Sequence, residues 1–439
     1  MLPITEYPSF VREARSYLQS GLSNWKQVEN AMRYLSGLIV LTDRKNVSSI
    51  NRSFTEYRNQ ASMNNFITDS TWSDEEFHRA VIQVVKDEVA KQSIKHGTLI
   101  IDDTFLEKSG EEMEGVGWFY DHTQKKSILA HNMISTHYVA GKFHVPLDFE
   151  LYRKRKECPE EMFKTKVQMA KELVEMAVGY GIPISVVLFD SWYMSEELTS
   201  FIKGLGIGAY VAEEKGDRIV LSDDSRTETS LSDWAKTIPR ESFEPGLSFR
   251  TEKRSLQSTS LEVYTSLLGE KRTFYAYCTS VRMKHLDGRK TRLVLSYKDE
   301  KLGASTEGPS FYVTNMRFWE TKKILQTYAM RWMIEGFHRD AKQSLGLEDY
   351  QLRKIKGVKR HISMVFFAYI LLQLGSGFDR IMGNLKANLR TIGSRCRLAG
   401  TEVLSSLVRF AVKMAHKDMD AKKIMELLTK PLERSGYWR

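Results

Sequence analysis

The sequence predicts an α/β fold: a mixed-sheet core interrupted by a mostly β insertion, with helical N- and C-terminal regions. Three observations carry that expectation. Residues 1–95 place apolar side chains at three- and four-residue steps, the helical period. From Gly97 onward, short apolar runs alternate with amphipathic stretches, as in a mixed sheet covered by helices. Between 213 and 320 the texture changes to short period-two stretches separated by turn residues, which predicts strands.

Taken in order, Arg12–Leu18 and Asn24–Leu41 read as helices. Asn46–Glu56 and Gln60–Phe66 read as two short helices around a turn, a pattern shared by a helix-turn-helix and by a small helical bundle. A further helix starts at Trp72 with Ser73 as N-cap and acids in its first turn. Thr98–Asp102 is a short buried strand, and Ile128–Val139 with Phe143–Leu151 forms a hairpin about Ala140, Gly141 and Lys142. Glu160–Val178 is an amphipathic helix stopped by Gly179, Gly181 and Pro183. Ile184–Asp190 is the next buried strand, Glu196–Lys203 a helix, and Ile207–Ala212 a third apolar strand. In the insertion, Leu261–Leu267, Phe274–Val281, Arg292–Tyr297 and Phe311–Thr314 alternate as strands do. Helix resumes over Glu320–Leu345 and Lys359–Leu374, and the tail from Phe378 is helical and basic.

Composition narrows the function classes. Lys+Arg is 65 against Asp+Glu 55, a net charge of +10, which favours an anionic partner, nucleic acid above all. The longest strongly apolar run, Met364–Leu372, is about half the ~20 residues of a membrane helix, so no membrane partner is expected. The N-terminus has no signal-peptide pattern, and Cys158, Cys278 and Cys396 offer neither a zinc spacing nor a disulfide framework. A reduced, cytoplasmic chain follows as the expectation. The glycines at 204, 206 and 208 follow a helix and precede a strand, the reverse of what a dinucleotide loop requires.

Two strands end in acid: Leu99-Ile100-Ile101-Asp102-Asp103 and Val187-Leu188-Phe189-Asp190. Ligands of open α/β sheets gather beyond the carboxyl ends of strands, so these carboxylates can share a crevice. Tyr328, Arg331, Glu335 and Lys342 stand at offsets 0, 3, 7 and 14 on the predicted helix. At ~100° per residue they fall within an arc of about 60°. A solvated ion-pair row, with Arg331 and Glu335 at i,i+4, would explain that stripe. Two aspartates and one glutamate converging would instead hold two magnesium ions across a scissile phosphate. Arg331 then suits a phosphate bidentately, Lys342 acts as a point charge, and Tyr328 supplies a hydroxyl. Trp332 is either a core tryptophan or a surface for an unpaired base.

At these residues the sequence resembles the Asp-Asp-Glu transposases of bacterial insertion sequences. It is similar to the branch with a Tyr-x2-Arg-x3-Glu-x6-Lys signature, matched here by Tyr328, Arg331, Glu335 and Lys342. The resemblance covers Gly97 to about Leu374 and includes a β-rich insertion between Asp190 and Glu335. It implies an RNase H-like catalytic core that uses two Mg²⁺ ions, with Mn²⁺ as substitute. Such enzymes cut a DNA strand with water at the transposon end and use the freed 3′ hydroxyl as nucleophile, often through a hairpin. By that resemblance Asp190 is the second aspartate and Glu335 the glutamate. Asp102 and Asp103 point to opposite faces of one strand, so only one can reach the metals, and the resemblance favours Asp102.

The partners it implies are double-stranded DNA, as transposon ends and target, and a second copy of the chain in the synaptic complex. It also implies a bacterial, nucleoid-associated location. The expected domains are a helical DNA-binding domain (1–95), a first core part (96–212), the β-rich insertion (213–320), a second core part with the glutamate helix (321–375), and a helical C-terminal region suited to dimerisation (376–439). Arg353, Lys354, Lys356, Lys359 and Arg360 form a cation run without an acid, readable as a solvated face or a DNA-backbone patch. Lys108 is a further candidate for a phosphate, while His131, His137 and His144 are read as structural. A nuclease on the same core without strand transfer, and an idle DNA-binding descendant, are the competing functions.

Overall fold

Three parallel strands form the middle of the sheet in the computed structural model, which describes residues 3–56, 58–141, 143–221, 228–249, 272–297, 308–375 and 391–434. They are β1 (Thr98–Glu107), β5 (Val186–Phe189) and β6 (Ala209–Glu214). Leu99, Ile100, Val187, Leu188 and Val211 are wholly buried, which is why these strands read as continuous apolar runs. The chain divides into two compact units, 1–91 with 105–132 and 337–439, and 92–104 with 133–336.

The first unit is mainly helical, with helices Ser9–Glu13, Arg15–Gly21, Trp25–Val40, Val47–Arg52, Gln60–Thr68 and Asp74–Lys91 before the sheet region. Helix Ile355–Leu374 is apolar nearly all round and has fourteen buried residues, so it needs neighbours on every side. It packs against Trp25–Val40, Gln60–Thr68, Asp74–Lys91 and Ile392–Ala415. The N-terminal helices therefore belong to the same core as the C-terminal ones. The run Met364–Leu372 lies in this helix, and no helix among the described residues is long and apolar enough to cross a membrane. Helices Val47–Arg52 and Gln60–Thr68 are separated by residues 53–59, longer than the ~3–4-residue turn of a helix-turn-helix. Strand β2 (Gly117–Asp121), absent from the sequence expectation, pairs antiparallel with the start of β3 (Lys126–Ala140), Gly117 opposite Ala130.

The second unit is built on the sheet. Strand β3 lies beside β1 and also pairs with β4 (Phe143–Tyr152), the expected hairpin. Beyond β6 come β12 (Ser310–Thr314), β11 (Lys290–Tyr297), β10 (Arg272–Met283), β7 (Ile219–Leu221) and β8 (Glu228–Ser230), with β9 (Glu244–Phe249) on β10. The insertion is thus mostly β, as expected, and it continues the core sheet through the antiparallel pairing of β12 with β6. The alternating stretch Leu261–Leu267 and the start of the C-terminal tail, 376–390, lie outside the described residues. Helix Lys166–Gly179 starts six residues later than the pattern predicted, because Thr165 and Gln168 form a reciprocal capping box there. It ends before Gly181, whose φ of 72° a side chain would resist.

The expected single helix over Glu320–Leu345 is broken. Helix Thr321–Ala329 stops, and helix Trp332–Leu345 begins after a tight turn. There Met330 N–H bonds the Thr327 carbonyl and Arg331 N–H the Tyr328 carbonyl, three-residue steps that tighten the chain. Tyr328, Arg331 and Glu335 therefore do not sit on one straight helical stripe.

Candidate active site

Strand register places the acids. In the parallel pair β1–β5, Ile100 is opposite Leu188, and counting on by two brings Asp102 level with Asp190. In β5–β6, Phe189 is opposite Ala212, so the next step sets Asp190 level with Glu213. Tyr312 of β12 pairs with Glu213 on the far side. Three carboxylates thus follow one another across three parallel strands, Asp190 and Glu213 at the carboxyl ends of β5 and β6 and Asp102 in the middle of β1, which runs on to Glu107 instead of ending in acid as expected.

Arg331 ties Glu335 to this row. Its Nη1 donates to Asp102 Oδ2 at 2.7 Å and its Nη2 donates to Glu335 Oε1. The guanidinium is 13% exposed, and burial acts to lower its pKa. Tyr328, Asp102, Glu335 and Asp190 outweigh burial and hold the charge on. Burial pushes the Asp102 carboxyl up to about 7; Arg331 opposes that, and Asp190, Asp103 and Glu335 add to it. Asp190 is raised by burial and then by Asp103, against Arg331 and two backbone N–H groups. These acids repel one another and call for more positive charge than one guanidinium supplies.

The alternation of β1 separates the two neighbouring aspartates. Asp102 takes Arg331, while Asp103 accepts from Lys166 Nζ at 2.8 Å and from the Tyr193 hydroxyl at 3.2 Å. Tyr193 is wholly buried, and the phenol is held well above its ordinary pKa by burial and then by Asp103, Asp102 and Asp190. Tyr328 is buried as well, and its hydroxyl donates to Glu213 Oε2 at 3.2 Å. Its ring lies 4.6 Å from that of Tyr312. Trp332, by contrast, is 44% exposed. Arg331 was expected to face a phosphate; here it is engaged by two carboxylates.

Hard oxygen donors of this kind suit Mg²⁺ or Mn²⁺. Among the described residues no three His, Cys, Asp or Glu side chains close round a single metal position. Asp102 and Asp190 are neighbours, and Glu335 reaches Asp102 only through the guanidinium. The donor chemistry fits a divalent cation, and Arg331 carries the positive charge between two of the donors.

The remaining predicted residues fall in the first unit. Lys342 donates to the Phe105 carbonyl at 2.6 Å and pairs with Glu348 at 2.8 Å. Lys108 donates to the Glu348 carbonyl at 2.6 Å and stands 3.4 Å from the centre of the Tyr350 ring. In the cation run, Arg353 pairs with Glu112 and Lys354 with Asp69 at the surface, and Lys356 and Lys359 lie on the same helix. Arg360 departs from the expected DNA-facing run. It is 1% exposed, donates to Asp74 and to the carbonyls of Phe66, Ser70 and Trp72, and stacks 3.7 Å from the Trp72 ring. A periodic count of charges cannot tell an outward arginine from one that caps carbonyls inside a helical core. His131, His137 and His144 are all buried and hydrogen-bonded within the protein, as a structural role requires.

The sequence pattern missed Glu213, Lys166 and Tyr193. Glu213 carried a signal, since it follows the apolar strand Ile207–Ala212 just as Asp102 and Asp190 follow theirs. Lys166 and Tyr193 carried none, because their contacts with Asp103 join segments far apart in sequence.

Comparisons with known proteins add one informative match. No curated protein sequence matches this chain. Among solved structures, the chain aligns with the Drosophila P element transposase strand transfer complex at 8% identity, covering 83% of this chain and 75% of that one. The TM-score of 0.20 is too low to carry weight. Residues 17–230, just under half of the chain, match the family model described as DDE superfamily endonuclease. The likeness to DDE superfamily endonucleases thus takes in Asp102, Asp190 and Glu213, and stops before Glu335.

Proposed function

We propose that this chain is an Asp-Asp-Glu transposase with an RNase H-like core. It binds terminal inverted repeats, cuts a DNA strand by hydrolysis and joins the freed 3′ hydroxyl to target DNA in a cut-and-paste reaction. The observation that carries this is the register that sets Asp102 beside Asp190, with Glu335 tied to Asp102 through Arg331. The family match over 17–230 supports the endonuclease half.

In this reading Asp102, Asp190 and Glu335 hold two Mg²⁺ or Mn²⁺ ions, which when bound activate water and neutralise charge on the phosphate. The protein's own part is to place and charge the ligands. Asp103, held by Lys166 and Tyr193, keeps the middle of β1 in position. Glu213 anchors the Tyr328 hydroxyl, and thereby the end of the helix that leads to Arg331. Arg331 holds positive charge between Asp102 and Glu335, and would be available to phosphate oxygens where cations took its place on those carboxylates. Lys342, the exposed cations Arg353, Lys354 and Lys356, and the half-buried Lys359 supply backbone contacts to double-stranded DNA. A homodimer bridging two ends, and a hairpin during excision, belong to the same proposal.

The test is cleavage of DNA taken from the flanks of the coding region, with Mg²⁺. Asp190→Asn and Glu335→Gln are expected to abolish cutting while leaving DNA binding nearly intact. Normal cutting by either variant overturns the assignment. Cutting with no joined product over a range of targets would reduce the function to a nuclease.

A further inference from the structure

Trp192 is 57% exposed, two residues after Asp190, whereas its neighbour Tyr193 is wholly buried. The turn at Asp190 holds both in place. Trp192 N–H donates to Asp190 Oδ1 at 3.0 Å, and Tyr193 N–H to the Asp190 carbonyl at 3.3 Å. One aromatic ring is thereby locked under the acids and the next is presented to solvent.

Two ammonium groups face the exposed indole. Lys166 Nζ lies 5.4 Å and Lys215 Nζ 5.1 Å from the ring centre. They come from different elements, Lys166 at the first turn of its helix and Lys215 just past β6. Lys166 is already engaged by Asp103 at 2.8 Å, while Lys215 is exposed. Cation–π attraction explains the lysines, but it does not explain why a tryptophan, which normally buries most of its surface, is left in water.

We propose that Trp192 is a stacking platform for one unpaired nucleobase of the strand held at the carboxylates, with Lys215 on a neighbouring phosphate. This rests on the DNA reading above and adds to it a base contact at a residue outside the Tyr-Arg-Glu-Lys signature. Stacking accepts any base, because every base has a π face. The reach is suitable: two residues span at most ~7 Å, and successive nucleotides on one strand are ~3.4 Å apart along the axis. A base on the indole is therefore one or two nucleotides from a phosphate at Asp190. Only an unpaired base offers its face, so the platform acts where the duplex is opened. Trp332 is exposed too, on another element, and serves as the internal comparison.

The test compares a short oligothymidylate with an abasic strand of equal length and charge. Binding is measured in EDTA, so that no strand is cut. The unsubstituted protein is expected to prefer the base-bearing strand by roughly five- to a hundredfold. Trp192→Ala should erase that preference and Trp192→Phe should retain most of it. Lys215→Ala should weaken both strands alike and flatten the salt dependence. A preference that survives in folded Trp192→Ala, or that is lost only in Trp332→Ala, overturns the platform. Failure of the unsubstituted protein to bind either strand overturns the DNA reading itself.

Discussion

Replacing Arg331 by alanine should make the second unit depend on divalent cations for stability. The guanidinium is 13% exposed and is the cation between Asp102 and Glu335. Breaking a buried pair by deleting one partner costs ~3–5 kcal/mol. Glu335 is 36% exposed and contributes little of this, since solvent screens it. Asp102 limits the rest: its carboxyl already sits at about 7 and takes up a proton once the guanidinium is gone. The low end, ~3 kcal/mol, is therefore expected. At ~2–4 °C per kcal/mol for a unit of this size, the melting temperature in EDTA should fall by ~6–12 °C.

The sign with pH follows from the same carboxyl. A group whose folded pKa is raised above its unfolded value lends stability at low pH and loses it as pH rises through the folded value. For Asp102 that window runs from its ordinary 3.8 to about 7. The deficit of Arg331→Ala should accordingly be smaller near about pH 5 than near about pH 8. Differential scanning fluorimetry with and without Mn²⁺ is the assay. The variant should gain more from Mn²⁺ than the unsubstituted protein, in which the guanidinium must first be displaced. Equal melting in EDTA, or equal gains with Mn²⁺, would refute the idea that Arg331 stands in for a cation.

Two other predictions concern the first unit. His361 is fully buried, with Nδ1 2.8 Å from the Tyr34 hydroxyl and Nε2 donating to the Gly346 carbonyl at 2.9 Å, and burial lowers its pKa to about 3. Its unfolded value is ~6.5, so stability is full above that pH and declines below it by ~1.4 kcal/mol per unit. Urea unfolding should show a loss of ~2 kcal/mol from this group between about pH 7 and about pH 5. His361→Gln should remove that increment, and an unchanged pH slope in the variant would contradict the buried neutral imidazole. The cation run should split in two. Arg353, paired with Glu112 where both are more than three-quarters exposed, should cost little stability when changed to Ala. Arg353→Ala should nevertheless weaken DNA binding at all sequences and lower its salt slope by about one. Arg360→Ala should instead destabilise by on the order of 3 kcal/mol, because three carbonyls lose their donor. A stable Arg360→Ala with a reduced salt slope would place that arginine on the DNA after all.

Much of the architecture was legible because its signals are local. A strand buried on both faces must be apolar along its length, so Thr98–Asp102, Ile184–Asp190 and Ile207–Ala212 announced the three parallel strands, within two residues of the observed limits except that β1 runs five residues further, to Glu107, where its burial becomes partial. The acids that close two of those runs were legible for the same reason, as charged residues breaking an apolar run. The break at Met330–Arg331 was not, because the period of 3.6 continues across a single tightened turn in any residue count. Nor was the junction of β12 with β6, which depends on which edge the insertion finds.

The sequence by itself determined the classes of element, the basic balance, and the candidate acids Asp102, Asp190 and Glu335. Each of these is set by side-chain chemistry at one position or by a period of a few residues. Only the tertiary structure decided that Asp103 is taken by Lys166 and Tyr193, that Arg360 is spent on carbonyls, and that Glu213 joins the row of carboxylates. Those outcomes turn on strand register and on contacts between residues tens to hundreds of positions apart. A hydrogen bond is made by whichever donor the fold brings within about 3 Å, and no local pattern specifies that.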